Sequence, residues 1–140
     1  MRRITHLGGA WATIGASLAL IAAGQWRLGL AAGLANAISH VAVQVLKRAV
    51  ARPRPCDANG RPLALVVLPD PFSFPSGHAA ASTAVAATLS LYHPALAPAL
   101  LPIAVLVSAS RVRLRVHHVS DVLAGVALGA AAALAAVRLL

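Results

Sequence analysis

Three cations, two histidines, one carboxylate and a serine–glycine pair are spaced along this 140-residue chain so that together they could handle a phosphoryl group. Lys47 is followed seven residues later by Arg54-Pro55. Pro75-Ser76-Gly77-His78 comes next, and Ser110-Arg111 precedes His117 and Asp121. Lys47, Arg54 and Arg111 can neutralise nonbridging phosphate oxygens, and each arginine can grip two at once. Ser76-Gly77-His78 opens a helix behind Pro75, where free backbone N–H groups and the positive dipole end favour an anion. Gly77 allows close approach of the backbone. His117 and Asp121 stand one helical turn apart. Asp121 can accept from one ring nitrogen of His117, fix its tautomer and leave the other nitrogen as a nucleophile. His78 is then the acid that protonates the leaving oxygen and the base that later activates water. Positive charge, with no metal or other cofactor, would hold the transition state.

The elements that must position these groups are membrane helices. Hydrophobic residues make up 59% of the chain, charged residues 11%, and mean hydropathy is +0.80. Soluble domains run nearer ~45–50% apolar and ~25% charged. A water-soluble globule of this size could not hide so much apolar surface, and a disordered chain is excluded on the same ground. A spanning helix needs about 17–25 mostly apolar residues. Residues 7–26, 28–47, 75–92, 94–110 and 119–137 qualify, giving an all-α bundle of about five transmembrane helices in a single domain over 1–140, with a catalytic loop at 48–74. From His78 to Arg111 the chain runs one helix out and one helix back, each roughly 24 Å. The polar groups therefore converge on one membrane face.

The remaining residues prune the alternatives. Cys56 is the one cysteine, so no internal disulfide forms, and the scattered Asp57, Asp70 and Asp121, with no Glu, do not suggest a clustered Mg²⁺ site. Asn36, His40, Gln44 and Lys47 share one face of the second helix. Interhelical hydrogen bonding is the expectation for Asn36 and Gln44, while His40 fits that or a functional role equally. A lone Lys47 would snorkel to the headgroups. The pairs Gly29-x3-Gly33 and Gly125-x3-Gly129 suit close helix packing within the bundle. The loop carries a turn at Asp57-Ala58-Asn59-Gly60 and a short apolar stretch, 63–68, read as interfacial or re-entrant. The basic start and apolar run resemble a signal peptide, but the run is long for one and lacks a cleavage site, so an uncleaved helix is expected.

Lys47-x6-Arg54-Pro55, Pro75-Ser76-Gly77-His78 and Ser110-Arg111-x5-His117-x3-Asp121 together resemble the three signature motifs of the type 2 phosphatidic acid phosphatase family, shared with vanadium haloperoxidases and bacterial acid phosphatases. The resemblance implies an all-helical fold and metal-free hydrolysis of a phosphomonoester or diphosphate. It implies His117 as covalent nucleophile, His78 as acid/base and Asp121 as orienter. Lys47, Arg54, Ser76, Gly77 and Arg111 would be phosphate ligands, with Pro55, Pro75 and Ser110 in support. By spacing, His117 and not His118 is the motif residue; His118 is expected to pack or touch headgroups, and His6 and His93 to lie at the interface. Many membrane members have six helices, so the one lacking here would be N-terminal. Haloperoxidase activity does not fit, because those relatives are soluble and larger.

Five crossings place the N-terminus on the active-site side. Arg2, Arg3, Lys47, Arg48, Arg52, Arg54, Arg61, Arg111, Arg113 and Arg115 fall there, against Arg27 and Arg138 opposite. Cytoplasmic loops attract Lys and Arg, so a cytoplasm-facing site in a bacterial inner membrane is expected. The bilayer and a lipid phosphate are the expected partners, with no nucleic acid. Phosphatidic acid, phosphatidylglycerol phosphate or a polyprenyl-linked phosphate suits that face. Undecaprenyl diphosphate suits the opposite face, and a non-enzymatic lipid-binding protein is the rival class. A transporter fits poorly, because five short helices carry no repeat.

Overall fold

A computed structural model describes residues 2–68 and 70–140, with the side chain of Arg2 outside the description. Among the described residues six α-helices follow in chain order: α1 (Arg2–Thr5), α2 (Ala10–Ala22), α3 (Trp26–Val50), α4 (Gly77–Tyr92), α5 (Ala97–Arg113) and α6 (Val119–Leu139). Among the described residues there is no strand; two isolated bridges, Pro53 to Phe72 and Cys56 to Pro62, pinch the loop between α3 and α4. The fold is therefore all-α, as composition requires.

Helix limits follow local chemistry. Gly8 and Gly9 end a 3₁₀ turn over His6–Gly8 and delay α2 to Ala10. α3 runs a turn past Lys47 and stops where Ala51 turns left-handed, at φ 47°. Lys47 thus lies inside the helix and is 7% exposed, so it does not snorkel. A second 3₁₀ turn, Pro94–Leu96, leads into α5, which tolerates Pro98 in its first turn and Pro102 inside. α3, α6 and the segment Pro94–Arg113 are long and apolar enough to cross a bilayer. α2 and α4, at 13 and 16 residues, are shorter.

α4 is the central element, packed against α3, α5 and α6, while α2 lies on α3 and α1 on α5. Its enclosure explains why a 16-residue helix suffices: α4 buries Ala79, Ala80, Thr83, Ala84 and Thr88, and its neighbours meet the lipid. The core is mostly alanine, including Ala35, Ala84 and Ala136, so backbones lie close together. Large apolar side chains point outward instead, among them Trp11, Leu18, Val105 and Leu123. In water such a belt would aggregate; in a bilayer it meets its natural solvent.

Two glycines on α6 set the approach to α4. A methyl on Gly125 would come within 2.5 Å of the Ser76 carbonyl oxygen, and one on Gly129 would strike the Ala80 carbonyl and reach 2.9 Å from the Ala84 nitrogen. Gly29 is similarly tight against Ser17 and Ile21 of α2, whereas Gly33 has room, with Ser17 Cβ at 3.8 Å. Gly129→Ala is expected to destabilise the bundle by about 1–3 kcal/mol. Gly33→Ala should be neutral or stabilising by up to ~1 kcal/mol. Thermal melting of both variants in detergent checks the contrast; equal melting temperatures would contradict it.

Candidate active site

The loop after α3, the N-termini of α4 and α6, and the C-terminus of α5 meet at one end of the bundle. They bring together Lys47, Arg54, His78, Arg111, His117 and Asp121, the residues whose spacing pointed to phosphate chemistry. A tight turn after α5 makes this possible. Leu114 N–H donates to the Ser110 carbonyl, and Arg115 adopts φ 56°. Val116 N–H donates to the Arg111 carbonyl at 3.2 Å, so His117 returns beside Arg111.

His117 is 3% exposed. Its Nδ1 stands 2.6 Å from the Ser73 carbonyl oxygen. A carbonyl can only accept, so Nδ1 carries the proton and Nε2 keeps its lone pair. Asp121 does not play the orienting part expected of it. Its Oδ2 is 3.8 Å from Nδ1, beyond hydrogen-bond reach. Both carboxylate oxygens are committed elsewhere: Oδ1 accepts from Arg52 Nη1 at 2.8 Å, and Oδ2 accepts from the His118 N–H at 2.7 Å. Asp121, fully buried at the third position of α6, thus completes a capping box with His118, the N-cap, and pins the loop. Its own carbonyl accepts the Ser76 N–H at 2.9 Å, joining the starts of α6 and α4. Burial, then the charges of Arg54 and Arg111, push the His117 ring down to about 3, against a smaller upward pull from the Ser73 bond. The ring is therefore neutral at ordinary pH, as a nucleophile must be.

Ser73 is positioned as firmly as His117. It is wholly buried, its N–H donates to the Arg52 carbonyl at 2.8 Å, and its hydroxyl donates to the Pro53 carbonyl at 2.8 Å. Arg54 ties the same loop to the His117 turn through Nη1, which donates to the Val116 carbonyl at 2.8 Å.

Asp70 is the second group that sequence spacing missed. One carboxylate oxygen accepts from Lys47 Nζ at 2.6 Å, the other from Arg54 Nη2 at 3.2 Å. Burial raises the Asp70 carboxyl, but the Lys47 hydrogen bond and the charges of Lys47 and Arg54 outweigh it and hold it below the ordinary value. Arg54 is itself lowered by burial, despite the opposing pull of Asp70.

Arg111 has no carboxylate within ion-pair distance among the described residues. It is 5% exposed, its Nη1 donates to Thr5 Oγ1 at 2.7 Å, and its Nε has no partner. A buried guanidinium with spare donors is built to receive an anion.

Ser76 serves the helix rather than open space. Its Oγ accepts from the Ala79 N–H at 3.5 Å, and its N–H is taken by Asp121. The N–H groups of Gly77 and His78 are the first-turn donors left for a ligand. A side chain at Gly77 would find only Val43 Cγ1, at 3.6 Å. Among the described residues no cluster of three or more His, Cys, Asp or Glu could hold a metal ion. The donor set is cationic and suits an anion.

Comparison with known proteins identifies the family. The model of the PAP2 superfamily matches residues 25–140. A relative from Mycolicibacterium smegmatis, named decaprenylphosphoryl-5-phosphoribose phosphatase, is 37% identical over 130 residues, covering 89% of this chain and 68% of that protein. A Mycobacterium tuberculosis protein of the same name is 38% identical over 105 residues, covering 72% of this chain. The chain spans about half the length of that relative, 55%. Among solved structures, the Bacillus subtilis transmembrane PAP2-type phosphatidylglycerolphosphate phosphatase superposes with a TM-score of 0.78 at 32% identity, covering 99% of this chain and 73% of that one. Aquifex aeolicus LpxE shares the fold with a TM-score of 0.83 at 23% identity, over 98% of this chain and 82% of its own. With the family match over residues 25–140 and these relatives, the chain belongs to the PAP2 superfamily and is a membrane phosphatase.

Proposed function

We propose that this protein hydrolyses a lipid-linked phosphomonoester without a metal, through a phosphohistidine on His117. The observation that carries the reading is the pairing of a neutral His117, whose Nε2 is free, with a buried Arg111 that lacks a carboxylate partner. Nε2 attacks phosphorus while the bond from phosphorus to the lipid oxygen breaks. His78 passes its proton to the departing oxygen. Bound phosphate beside His78 favours the protonated ring that this step needs. Water then attacks phosphorus, gives its proton to His78 and frees His117 with inorganic phosphate. Arg111, Arg54, Lys47 and the N–H groups of Gly77 and His78 hold the three outer oxygens, where charge gathers in the transition state. Asp70 presets Lys47 and Arg54, and Asp121 fixes the turn that presents His117. The names of the relatives support a lipid substrate, since both describe a phosphate on a lipid-linked alcohol.

The site is assigned to the cytoplasmic face of a bacterial inner membrane. By sequence order ten of the twelve cations fall at the active-site end, and removing Lys47, Arg54 and Arg111 still leaves seven against two, the asymmetry that supports this assignment. Arg27 stacks over Trp26 at the opposite end, 5.6 Å from the ring centre, as an interfacial anchor does.

Phosphate release from detergent-solubilised lipid phosphates tests the chemistry. Activity should survive EDTA, fall with vanadate, and drop at least about a thousandfold in His117→Ala. Activity abolished by EDTA, or retained in His117→Ala, would refute the mechanism. Reporter fusions after Gly60 and at the C-terminus test the orientation. A Gly60 fusion to a phosphatase that works only outside the cytoplasm should be silent; an active one reverses the assignment.

A further inference from the structure

A groove of about 800 Å³ leaves the active site and runs between α2 and α3. Lys47, Asp70 and His78 form its inner end, and Ile21, Gly29 and Leu30 its outer end. From residue 47 back to residue 30 along α3 it is roughly 25 Å long. Its lining changes character halfway. Gln44, His40 and Asn36 face the groove roughly 4.5, 10 and 16 Å below Lys47. Beyond them the walls are Leu34, Leu30, Leu18 and Ile21.

The three polar residues are not equivalent. Asn36 Nδ2 donates to Thr13 Oγ1 on α2 at 3.2 Å, the interhelical bond expected of it. Gln44 makes no such bond, contrary to expectation. Neither Gln44 nor His40 has a hydrogen-bond partner among the described residues. An amide and an imidazole without partners are costly at membrane depth, and such groups mark substrate paths. A prenyl phosphate or diphosphate begins its hydrocarbon directly beyond the phosphate, so it would lay apolar carbon against both groups. A lipid with four to six bonds of glycerol or sugar between phosphate and chain, each ~1.5 Å, would set hydroxyl, ester or phosphodiester oxygens opposite them.

We infer that the groove selects lipids whose phosphomonoester is joined to the hydrocarbon through a polar spacer, with Gln44 and His40 donating hydrogen bonds to that spacer and the lower groove holding the chain. This rests on the phosphatase reading above and narrows its substrate class. It sets aside a prenyl diphosphate as the preferred substrate. A phosphosugar spacer and a diacylglycerol spacer present the same acceptors at this distance.

The test measures kcat/KM of the full chain in one detergent on three probes: a polyprenyl-phosphoribose 5-phosphate, dioleoyl phosphatidic acid, and decaprenyl phosphate, which has no spacer. The wild-type enzyme should favour at least one spacer lipid over decaprenyl phosphate by about tenfold or more. In His40→Leu/Gln44→Met that ratio should fall to near one. Gln44→Met alone, which keeps side-chain length, should lower it partway, with melting temperatures confirming a folded bundle. The probe whose ratio falls furthest identifies the spacer. A wild-type preference for decaprenyl phosphate, or an unchanged ratio in the double variant, overturns the inference and leaves the phosphatase reading intact. No phosphate release from any probe overturns both.

Discussion

Burying positive charge without enough negative charge to match is the constraint on which this structure depends. Lys47, Arg54 and Arg111 are drawn into one end of a membrane bundle where two carboxylates are at hand. Asp70 is divided between Lys47 and Arg54, and Asp121 is spent on Arg52 and the α6 cap. That leaves Arg111 short of a counter-charge. Removing one partner from a buried pair commonly costs 3–5 kcal/mol, so a site left cationic must be held by the rest of the fold. In the proposed mechanism an incoming phosphate would complete the charge balance, so affinity and transition-state stabilisation would come from the same deficit.

The rest of the molecule holds that deficit in place. α4 presents its first-turn N–H groups to the site because α6 lies close against it, and Gly125 and Gly129 allow the approach. The Ser76 N–H to Asp121 carbonyl bond fastens the two helix starts together. The loop from α3 reaches across to supply Arg54, Asp70 and the Ser73 carbonyl, and Thr5 of α1 closes over Arg111. Lipid-facing leucine, valine and tryptophan contribute solubility in the bilayer and little to the site.

Much of this was legible in sequence. The hydropathy runs gave the helical bundle, and the spacing of Lys47, Arg54, His78, Arg111, His117 and Asp121 gave their convergence. The glycine pair on α6 announced close packing. The orienter of His117 was not legible. Its hydrogen bond goes to a main-chain carbonyl, which every residue type carries, so no spacing rule could select Ser73. Asp121 at i+4 was the natural inference, but its oxygens were already committed to Arg52 and the His118 amide. Asp70 carried a faint signal, being one of three acids in a strongly cationic chain; its partners are 16 and 23 residues away and depend on how the loop folds. Lys47 was expected near a helix end, and α3 continued past it because residues 48–50 are compatible with helix until Ala51 turns left-handed.

The central claim is that His117, held as the Nδ1–H tautomer by Ser73, becomes covalently phosphorylated at Nε2. The direct measurement is ³¹P NMR and peptide mapping of enzyme quenched in alkali during turnover of a lipid phosphate. The account predicts an acid-labile, base-stable phosphoryl group on Nε2 of His117. A quenched enzyme that carries no phosphate during steady turnover, or carries it on Nδ1 or on another residue, would contradict it.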